Sequence, residues 1–599
     1  MNDKMPLPSG FSGLGARAAH WARHRRSTLL LAGALITATS AGAQMAAGPA
    51  EDKANTTETE VGIPVKDPLV REKCGACHTP DDKGNLSRIS WVRTTPEGWA
   101  QAIHRMTKLN GLQITAEEAK GVVRSLSTTH GLAPGEAQPV MYLTEHRIQD
   151  ETNIPNETVR AACAACHAFA QPLSWRRSSH EWKLLQDMHV ALYSQAEVQY
   201  RRRVDEHGIA KPGMTEGPMP GVVALAYMRQ VAPLHSPEWE KWQARMRPAQ
   251  LDGTWLISAN IPGKGRYVGK MVVAPGKGDQ EFVSSVAMRS VADGSVLTRK
   301  GTGVVYNGYS WRGTSMAGAM GGLPDGLDNT MRETMWFAPD QKSATGRWFW
   351  GFYQEFGVDV KLTRATSEPT ILSVAPFAVK TGAQGAQLHI LGNNLPTGLA
   401  PKDIALGSGV TAAKIVSSSA DELVVDVNVA AGAPVGLHDV AVKGAVLESA
   451  LPIYHNLDYI KVTPDNAISR LGGSEKHPKG YQQFDAIGYD KGPDGKQGTA
   501  DDVPLGPVDV TWSLAEFPYV YYDDDKKFVG TISPAGLFTP NIDGPNPERR
   551  FGRNNYGEVW AVATATTAKD ATGKPLTGRG FLIVTVPAYK RWDQPEVNQ

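Results

Sequence analysis

Two short stretches of the chain carry the residues best suited to redox chemistry. They are Cys74-Gly75-Ala76-Cys77-His78 and Cys163-Ala164-Ala165-Cys166-His167, and each follows the pattern C-x-x-C-H. In this order two thiols add to the vinyl groups of a haem, and the imidazole that follows becomes the proximal ligand of the iron. The motifs therefore predict two covalently bound c-type haems, with His78 and His167 as proximal ligands.

The alternative for two C-x-x-C pairs is a zinc site built from two knuckles. The histidine that directly follows each pair favours haem over zinc. The two motifs use all four cysteines of the chain, so none remains for a disulfide.

A second ligand for the first haem has two candidates, His104 and Met106. Two positions on a helix differ by about 200°, so both side chains cannot face one iron. Trp99, Ile103 and Met106 share one apolar helix face, and His104 does not. The spacing predicts His78/Met106 ligation.

The second unit offers three candidates for the same role: Met188, His189 and Met219. Trp182 precedes His189 by the same interval that separates Trp99 from Met106, which favours His189. Met219 is the rival, because a methionine before a proline is a common ligand loop in small cytochromes. The other alternative is that His189 is a surface or core histidine beside a methionine ligand, Met188.

An internal repeat supports two fused copies of one small cytochrome unit. Residues 90–99 resemble residues 174–182 with one residue missing. Arg93 and Arg177 occupy matching places in this alignment. They are predicted to pair with haem propionates, since a guanidinium suits a carboxylate; the alternative is that both arginines are solvated.

The N-terminus has the pattern of an export signal. Arginines precede the apolar run 29–36, and small residues follow as far as Ala43. We expect a signal peptide over 1–43 and a disordered lead-in over 44–64, with an uncleaved anchor as the alternative. Cleavage would leave an exported protein without a membrane segment, and the choice between Sec and twin-arginine export stays open.

The length of 599 residues is typical of about four domains. The 62 basic and 61 acidic side chains give no overall field that would select nucleic acid. The predicted fold is multidomain, α plus all-β: a helical dihaem cytochrome c domain over 65–247, an antiparallel β-barrel over 248–366, an immunoglobulin-like β-sandwich over 367–457 and a C-terminal β-sandwich over 458–599.

One loop has the composition of a calcium site. It begins at Asp490 and ends at Asp502, and its carboxylates, among them Asp494 and Asp501, are spaced by glycines. Calcium prefers oxygen ligands on such turns, but the loop lacks the glutamate that closes an EF-hand. An acidic hairpin turn is the alternative.

With these features together, the chain resembles the alpha subunit of quinohaemoprotein amine dehydrogenase. The resemblance rests on the paired haem motifs, on the order of the domains and on segments 88–90, 95–99, 306–313 and 544–549. This chain departs from the family by its long N-terminal extension and by the acidic loop.

The resemblance implies an αβγ heterotrimer in the bacterial periplasm that oxidises primary amines to aldehyde and ammonia. It also implies a cysteine tryptophylquinone cofactor on a small gamma subunit, a beta-propeller subunit, and one bis-histidine and one histidine/methionine haem. An external cytochrome c or cupredoxin would accept the electrons. The amine-oxidising site would then lie outside this chain, which would be the electron-transfer subunit.

Two other functions stay open at this point. One is a free-standing periplasmic dihaem cytochrome with β interaction modules. The other is a dihaem peroxidase, which needs an open position on one iron, whereas both units here offer a second ligand.

Overall fold

The computed structural model describes residues 57–141, 154–317, 330–350, 357–517 and 524–587, apart from positions 155, 165, 206, 208, 211, 212, 475 and 476. The predicted signal peptide and most of the predicted lead-in lie outside these residues. Within them, no helix is both long enough and apolar enough to cross a membrane.

The N-terminal third of the described chain is helical. Its helices are α1 (Pro68–Cys74), α2 (Pro96–Asn110), α3 (Ala116–Thr129), α4 (Pro134–Ala137), α5 (Glu157–Cys163), α6 (Ala170–Leu173), α7 (Ser179–Leu192), α8 (Ser194–Arg201), α9 (Pro220–Val231) and α10 (Pro237–Arg245). Side-chain oxygens cap the first turns of several of these helices and fix where they begin: Asp67, Thr95, Thr115, Asn156, Ser178 and Ser236.

The two halves of the helical region meet in a short antiparallel ladder. Strand β1 (Val92–Thr94) pairs with strand β2 (Trp175–Arg177), and the helices α2 and α7 follow these strands directly. The buried tryptophans Trp99 and Trp182 of these two helices belong to one hydrophobic core. The two copies of the sequence repeat therefore pair with each other through the repeated segment itself.

An eight-stranded closed barrel follows, with the strands in chain order around it. The strands are β3 (Gly253–Ile261), β4 (Gly265–Pro275), β5 (Glu281–Ser290), β6 (Val296–Tyr306), β7 (Ser310–Ala317), β8 (Thr330–Phe337), β9 (Ser343–Phe349) and β10 (Gly357–Arg364). Inward side chains alternate with outward ones and fill the interior. Trp255, Trp311 and Trp348 are among the most deeply buried of them.

The next unit packs two four-stranded sheets face to face. Its strands are β11 (Thr370–Ala375), β12 (Val379–Lys380), β13 (Ala386–Asn393), β14 (Ile404–Ala405), β15 (Val410–Ser418), β16 (Glu422–Val429), β17 (Gly436–Val442) and β18 (Ala445–Tyr454). Aliphatic side chains from both sheets, such as Leu388, Val425 and Val440, make one core.

The last unit has sheets of three, four and three strands. Its elements are β19 (Tyr459–Thr463), β20 (Asn466–Arg470), β21 (Gln482–Gln483), β22 (Asp485–Asp490), β23 (Val503–Pro507), β24 (Val510–Glu516), α11 (Asp525–Phe528), β25 (Gly530–Ile532), β26 (Leu537–Pro540), β27 (Gly557–Lys569) and β28 (Pro575–Thr585). A helical region followed by β domains, one of them an eight-stranded barrel, agrees with the multidomain α plus β fold expected from the sequence.

Buried polar contacts join the helical region to the barrel. Arg312 on β7 is fully buried and binds both carboxylate oxygens of Glu97 in the first turn of α2. The Tyr309 hydroxyl donates to the carbonyl of Leu132 at 2.9 Å. The indole of Trp336 donates to the carbonyl of Pro134, also at 2.9 Å. The helix that carries Met106 is therefore anchored on the barrel wall at its N-terminal end.

Candidate haem sites

The first C-x-x-C-H motif leaves the end of α1 in a tight turn. Helix α1 ends at Cys74, and the amides of Gly75 and His78 donate to the carbonyls of Arg71 and Cys74, each at 2.9 Å. A Cβ atom at Gly75 would stand 2.5 Å from the carbonyl oxygen of Arg71. Glycine therefore fits this turn without a clash against the backbone.

The ring of His78 is oriented by a backbone contact. Its Nδ1 lies 2.8 Å from the carbonyl oxygen of Ser87 and donates to it. This bond fixes the tautomer that carries its proton on Nδ1 and presents Nε2 as the basic nitrogen. A second partner of this kind is what a metal-ligating histidine needs.

The second motif leaves its helix in the same way. Helix α5 ends at Cys163, and the amide of Ala164 donates to the carbonyl of Arg160 at 2.9 Å. The Nδ1 of His167 lies 3.1 Å from the carbonyl oxygen of Ala168. The two motifs thus share a helix-end turn and a histidine whose Nδ1 faces a carbonyl, although different segments supply that carbonyl.

In the described structure no disulfide joins any of the four cysteines. Burial raises the pKa of Cys74 to about 11 and that of Cys163 to about 12. Within the described residues no three His, Cys, Asp or Glu side chains gather where they could hold a metal ion by themselves. A structural zinc site would need four such side chains close together. A haem brings its own nitrogen ligands for the iron and needs only axial ligands from the protein, so these residues fit haem.

The predicted second ligands stand at equivalent helix positions. Helix α2 follows the cap Thr95, helix α7 follows the cap Ser178, and Met106 and His189 are the same number of residues beyond these caps. Met106 is half-buried, whereas His104 is exposed. The structure therefore keeps the equivalence on which the assignment rests.

The second unit also holds the two rival methionines. Met188 precedes His189 on α7 and is half-buried, and Met219 caps α9 with 42% of its surface exposed. His189 has its Nδ1 2.8 Å from the carbonyl oxygen of Leu185. As in His78, this contact leaves Nε2 as the ring nitrogen suited to iron.

Arg93 has a partner that the sequence did not reveal. Its Nη1 and Nη2 bind the two carboxylate oxygens of Glu136 at 2.8 and 3.1 Å, its Nε donates to the carbonyl of Leu234, and its side chain is fully buried. The predicted propionate contact of Arg93 is therefore corrected: a carboxylate of the protein occupies this guanidinium.

The repeat alignment also needs correction by one residue. In the ladder Arg93 lies opposite Arg176, and Arg177 lies opposite Val92. Counted from the helix caps Thr95 and Ser178, Arg93 matches Arg176 and not Arg177. Arg176 binds Glu136 as well, with its Nε 3.4 Å from Oε1.

Arg177 lies in a different environment from Arg93. Its guanidinium stacks on Trp175 at 4.5 Å and lies 5.7 Å from the ring centre of Trp182. Its Nη1 is 3.8 Å from Oε2 of Glu181, and its buried Nε has no hydrogen-bond partner. Burial lowers the pKa of Arg177 to about 10. Its contact with a haem propionate stays a prediction.

The acidic loop folds as a hydrogen-bonded turn. Asp490 is buried and accepts backbone amides of His455, Asn456 and Gly492 at 2.7 to 2.9 Å. Asp502 accepts two further amides within the loop and the hydroxyl of Tyr459. Because these carboxylates hold the turn itself, the geometry favours the hairpin interpretation over the calcium site.

Sequence reasoning missed Ser87, Glu136 and Glu181. Ser87 contributes only its backbone carbonyl, and because every residue has one, the sequence does not indicate this contact. Glu136 follows Pro134 at a helix start, a pattern typical of a capping carboxylate, and its link to Arg93 spans a long stretch of sequence. Glu181 had a visible signal, since it stands four residues after Arg177, at the start of the helix that follows the strand of Arg177.

The fold and the two motif turns define a haem-binding protein in which a series of β domains follows the helical region. Four family models match it: "Quinohemoprotein amine dehydrogenase A, alpha subunit, haem binding" over 65–217, and the alpha-subunit domains II over 248–365, III over 368–455 and IV over 460–597. The chain belongs to the quinohemoprotein amine dehydrogenase alpha-subunit family. Its haem-binding domain is accordingly the helical region, and membership implies further subunits in a complex.

Other comparisons add little to this assignment. No curated protein matches the chain at a significant level. A redesigned beta barrel, mFAP1, bound to DFHBI is similar at 14% identity, covering 19% of this chain and 94% of its own, with a TM-score of 0.16. Human protocadherin-24 EC1-2 is similar at 13% identity over 37% of this chain and 98% of its own, with a TM-score of 0.14.

Proposed function

We propose that this chain is the dihaem electron-transfer subunit of a periplasmic amine dehydrogenase. The observation that carries the proposal is that each C-x-x-C-H motif begins at the end of a helix and has a histidine whose Nδ1 faces a carbonyl. Cys74 and Cys77 would hold one haem c, and Cys163 and Cys166 the other. Haem supplies reversible one-electron chemistry when it is bound.

The residues of this chain would give the two haems different reduction potentials. His78 and Met106 would ligate the first iron, and His167 and His189 the second. Thioether ligation raises a haem potential, so the bis-histidine haem would have the lower potential. The contacts of Ser87 and Leu185 hold the imidazoles of His78 and His189 in the orientation and tautomer that ligation requires.

The source of electrons would lie on a partner. In the proposed assembly, an αβγ heterotrimer, a small gamma subunit carries cysteine tryptophylquinone, which oxidises primary amines to aldehyde and ammonia. A beta-propeller subunit completes the complex. This chain would take the electrons one at a time and pass them to an external cytochrome c or cupredoxin. The signal-like N-terminus supports export to the periplasm.

Haem analysis and reconstitution test the proposal together. Alkaline pyridine spectra of the purified chain should give two haems c per polypeptide, and replacing Cys74 and Cys77 by alanine should leave one. An amine should reduce the haems only after partner subunits are added. Zinc without haem, or amine turnover by the isolated chain, would contradict the proposal, and haem reduction by an unrelated dehydrogenase alone would favour the free-standing cytochrome.

A further inference from the structure

Two arginines contact one carboxylate where the two repeat units meet, and a third arginine lies near them. Arg88 binds Glu181 with its Nε 2.7 Å from Oε1, and Arg177 approaches the same carboxylate at 3.8 Å. Arg105, on α2, makes no hydrogen bond or ion pair with any of the described residues, and it lies within electrostatic range of both other arginines. The described residues therefore leave two positive charges of this cluster uncompensated.

Burial makes this excess of charge costly. Only 7% of Arg177 is exposed, and its Nε has no partner although it is inaccessible to water. Glu181 is buried as well. A buried polar atom without a hydrogen-bond partner is unfavourable, and the few cases in native proteins call for an explanation. Anionic groups that meet the three guanidiniums would remove this cost.

The cluster flanks both proposed ligands of one iron. Arg88 directly follows Ser87, whose carbonyl holds the ring of His78, and Arg105 directly precedes Met106. Arg88 has a φ of 68°, an uncommon conformation for a long side chain, which fits a residue fixed by its surroundings. An anionic group bound here would therefore belong to the ligand that is held between His78 and Met106.

We propose that Arg88, Arg105 and Arg177 bind the propionate carboxylates of the haem attached at Cys74 and Cys77. The inference rests on the proposed function for the presence of that haem. A haem carries two propionates, and together with Glu181 they would match the three positive charges. Guanidinium groups bind carboxylates through paired, charge-assisted hydrogen bonds, so arginine is the residue type suited to this role.

The test is redox potentiometry of the full haem-loaded chain, with a control on the same helix. Arg105→Gln should shift the midpoint potential of the methionine-ligated haem to a more negative value, because it removes a positive charge and leaves a propionate charge less compensated. Lys108→Gln also removes one positive charge, but from an exposed position of α2, and should shift the midpoint potential less. Arg105→Lys keeps the positive charge, so its midpoint potential should stay close to that of the wild type.

Resonance Raman spectra give a second readout that a change in overall charge would not move. The propionate bending band should change in Arg105→Gln and in Arg88→Gln, and stay in Lys108→Gln. Arg88 is half-exposed, so its variant does not depend on refilling a core. Equal potential shifts in the two helix variants, or changes confined to the other haem, would overturn the inference. A wild-type chain without two haems would instead count against the proposed function.

Discussion

Arg93 and Arg176 lie directly opposite each other in the ladder that joins the two repeat units, and both bind the carboxylate of Glu136. Glu136 also accepts the hydroxyl of Ser236 and the backbone amide of Ala133. One side chain from α4 therefore links both strands of the ladder to the start of α10. The contact holds the two units in a fixed relation without using either haem motif.

Removing this carboxylate should strongly destabilise the helical region. Glu136→Gln keeps the side-chain volume but removes the carboxylate that two buried guanidiniums share, and breaking a buried ion pair in this way costs about 3–5 kcal/mol. The measurement is loss of helical circular dichroism in urea. Glu197→Gln, which breaks the largely exposed pair with Arg201, should cost no more than about 1 kcal/mol. Similar losses in the two variants would contradict the role of Glu136.

The same carboxylate should make stability depend on pH in the acid range. Burial by itself raises the pKa of Glu136, but the hydrogen bonds and charge of Arg93, with the charge of Arg176, outweigh it and lower the pKa to about 2. The ordinary glutamate pKa is about 4.3, so this contribution is complete above that value and is lost as the pH falls towards 2. The stability difference between wild type and Glu136→Gln should shrink over this interval, and a constant difference would count against the assignment.

The sequence predicted the haem motifs, the repeat and the order of the domains, because these depend on local spacing. The pairing of Arg93 failed for a physical reason. The Ser-Trp pairs at the start of the repeats suggested a match with Arg177, whereas the helix caps Thr95 and Ser178 align Arg93 with Arg176. A slip of one residue moves a strand side chain to the other face, and sequence similarity does not detect it. Glu136 was missed because its contacts come from distant segments.

The contact between Glu97 and Arg312 should couple unfolding of the helical region to that of the barrel. Both side chains are buried, and each is the other's charged partner across the domain boundary. In Glu97→Gln a buried guanidinium loses its counter-charge, which costs about 3–5 kcal/mol. Calorimetry should show the helical transition moving to lower temperature, away from that of the barrel. Glu117→Gln, in the exposed first turn of α3, should leave the transitions together.

Calcium should not stabilise the chain through its acidic loop. The carboxylates of Asp490 and Asp502 accept backbone amides and so are engaged in holding the turn. Millimolar calcium should leave the melting temperature unchanged, whereas Asp490→Ala should lower it because three part-buried amides lose their acceptor. A rise in melting temperature with added calcium, through ligand linkage, would restore the calcium interpretation.

The methionine ligand should belong to the first unit alone. Met106 and His189 occupy equivalent positions after the caps of α2 and α7, so the geometry that brings one to its iron should bring the other. The oxidised protein should show one sulfur-to-iron charge-transfer band, lost in Met106→Ala and kept in Met188→Ala and Met219→Ala. The last two variants are matched controls, because each removes a methionine from the second unit. The near-infrared spectrum should also report one bis-histidine haem, lost in His189→Ala. Two methionine signals in the parent protein would show that Met188 or Met219, not His189, ligates the second iron.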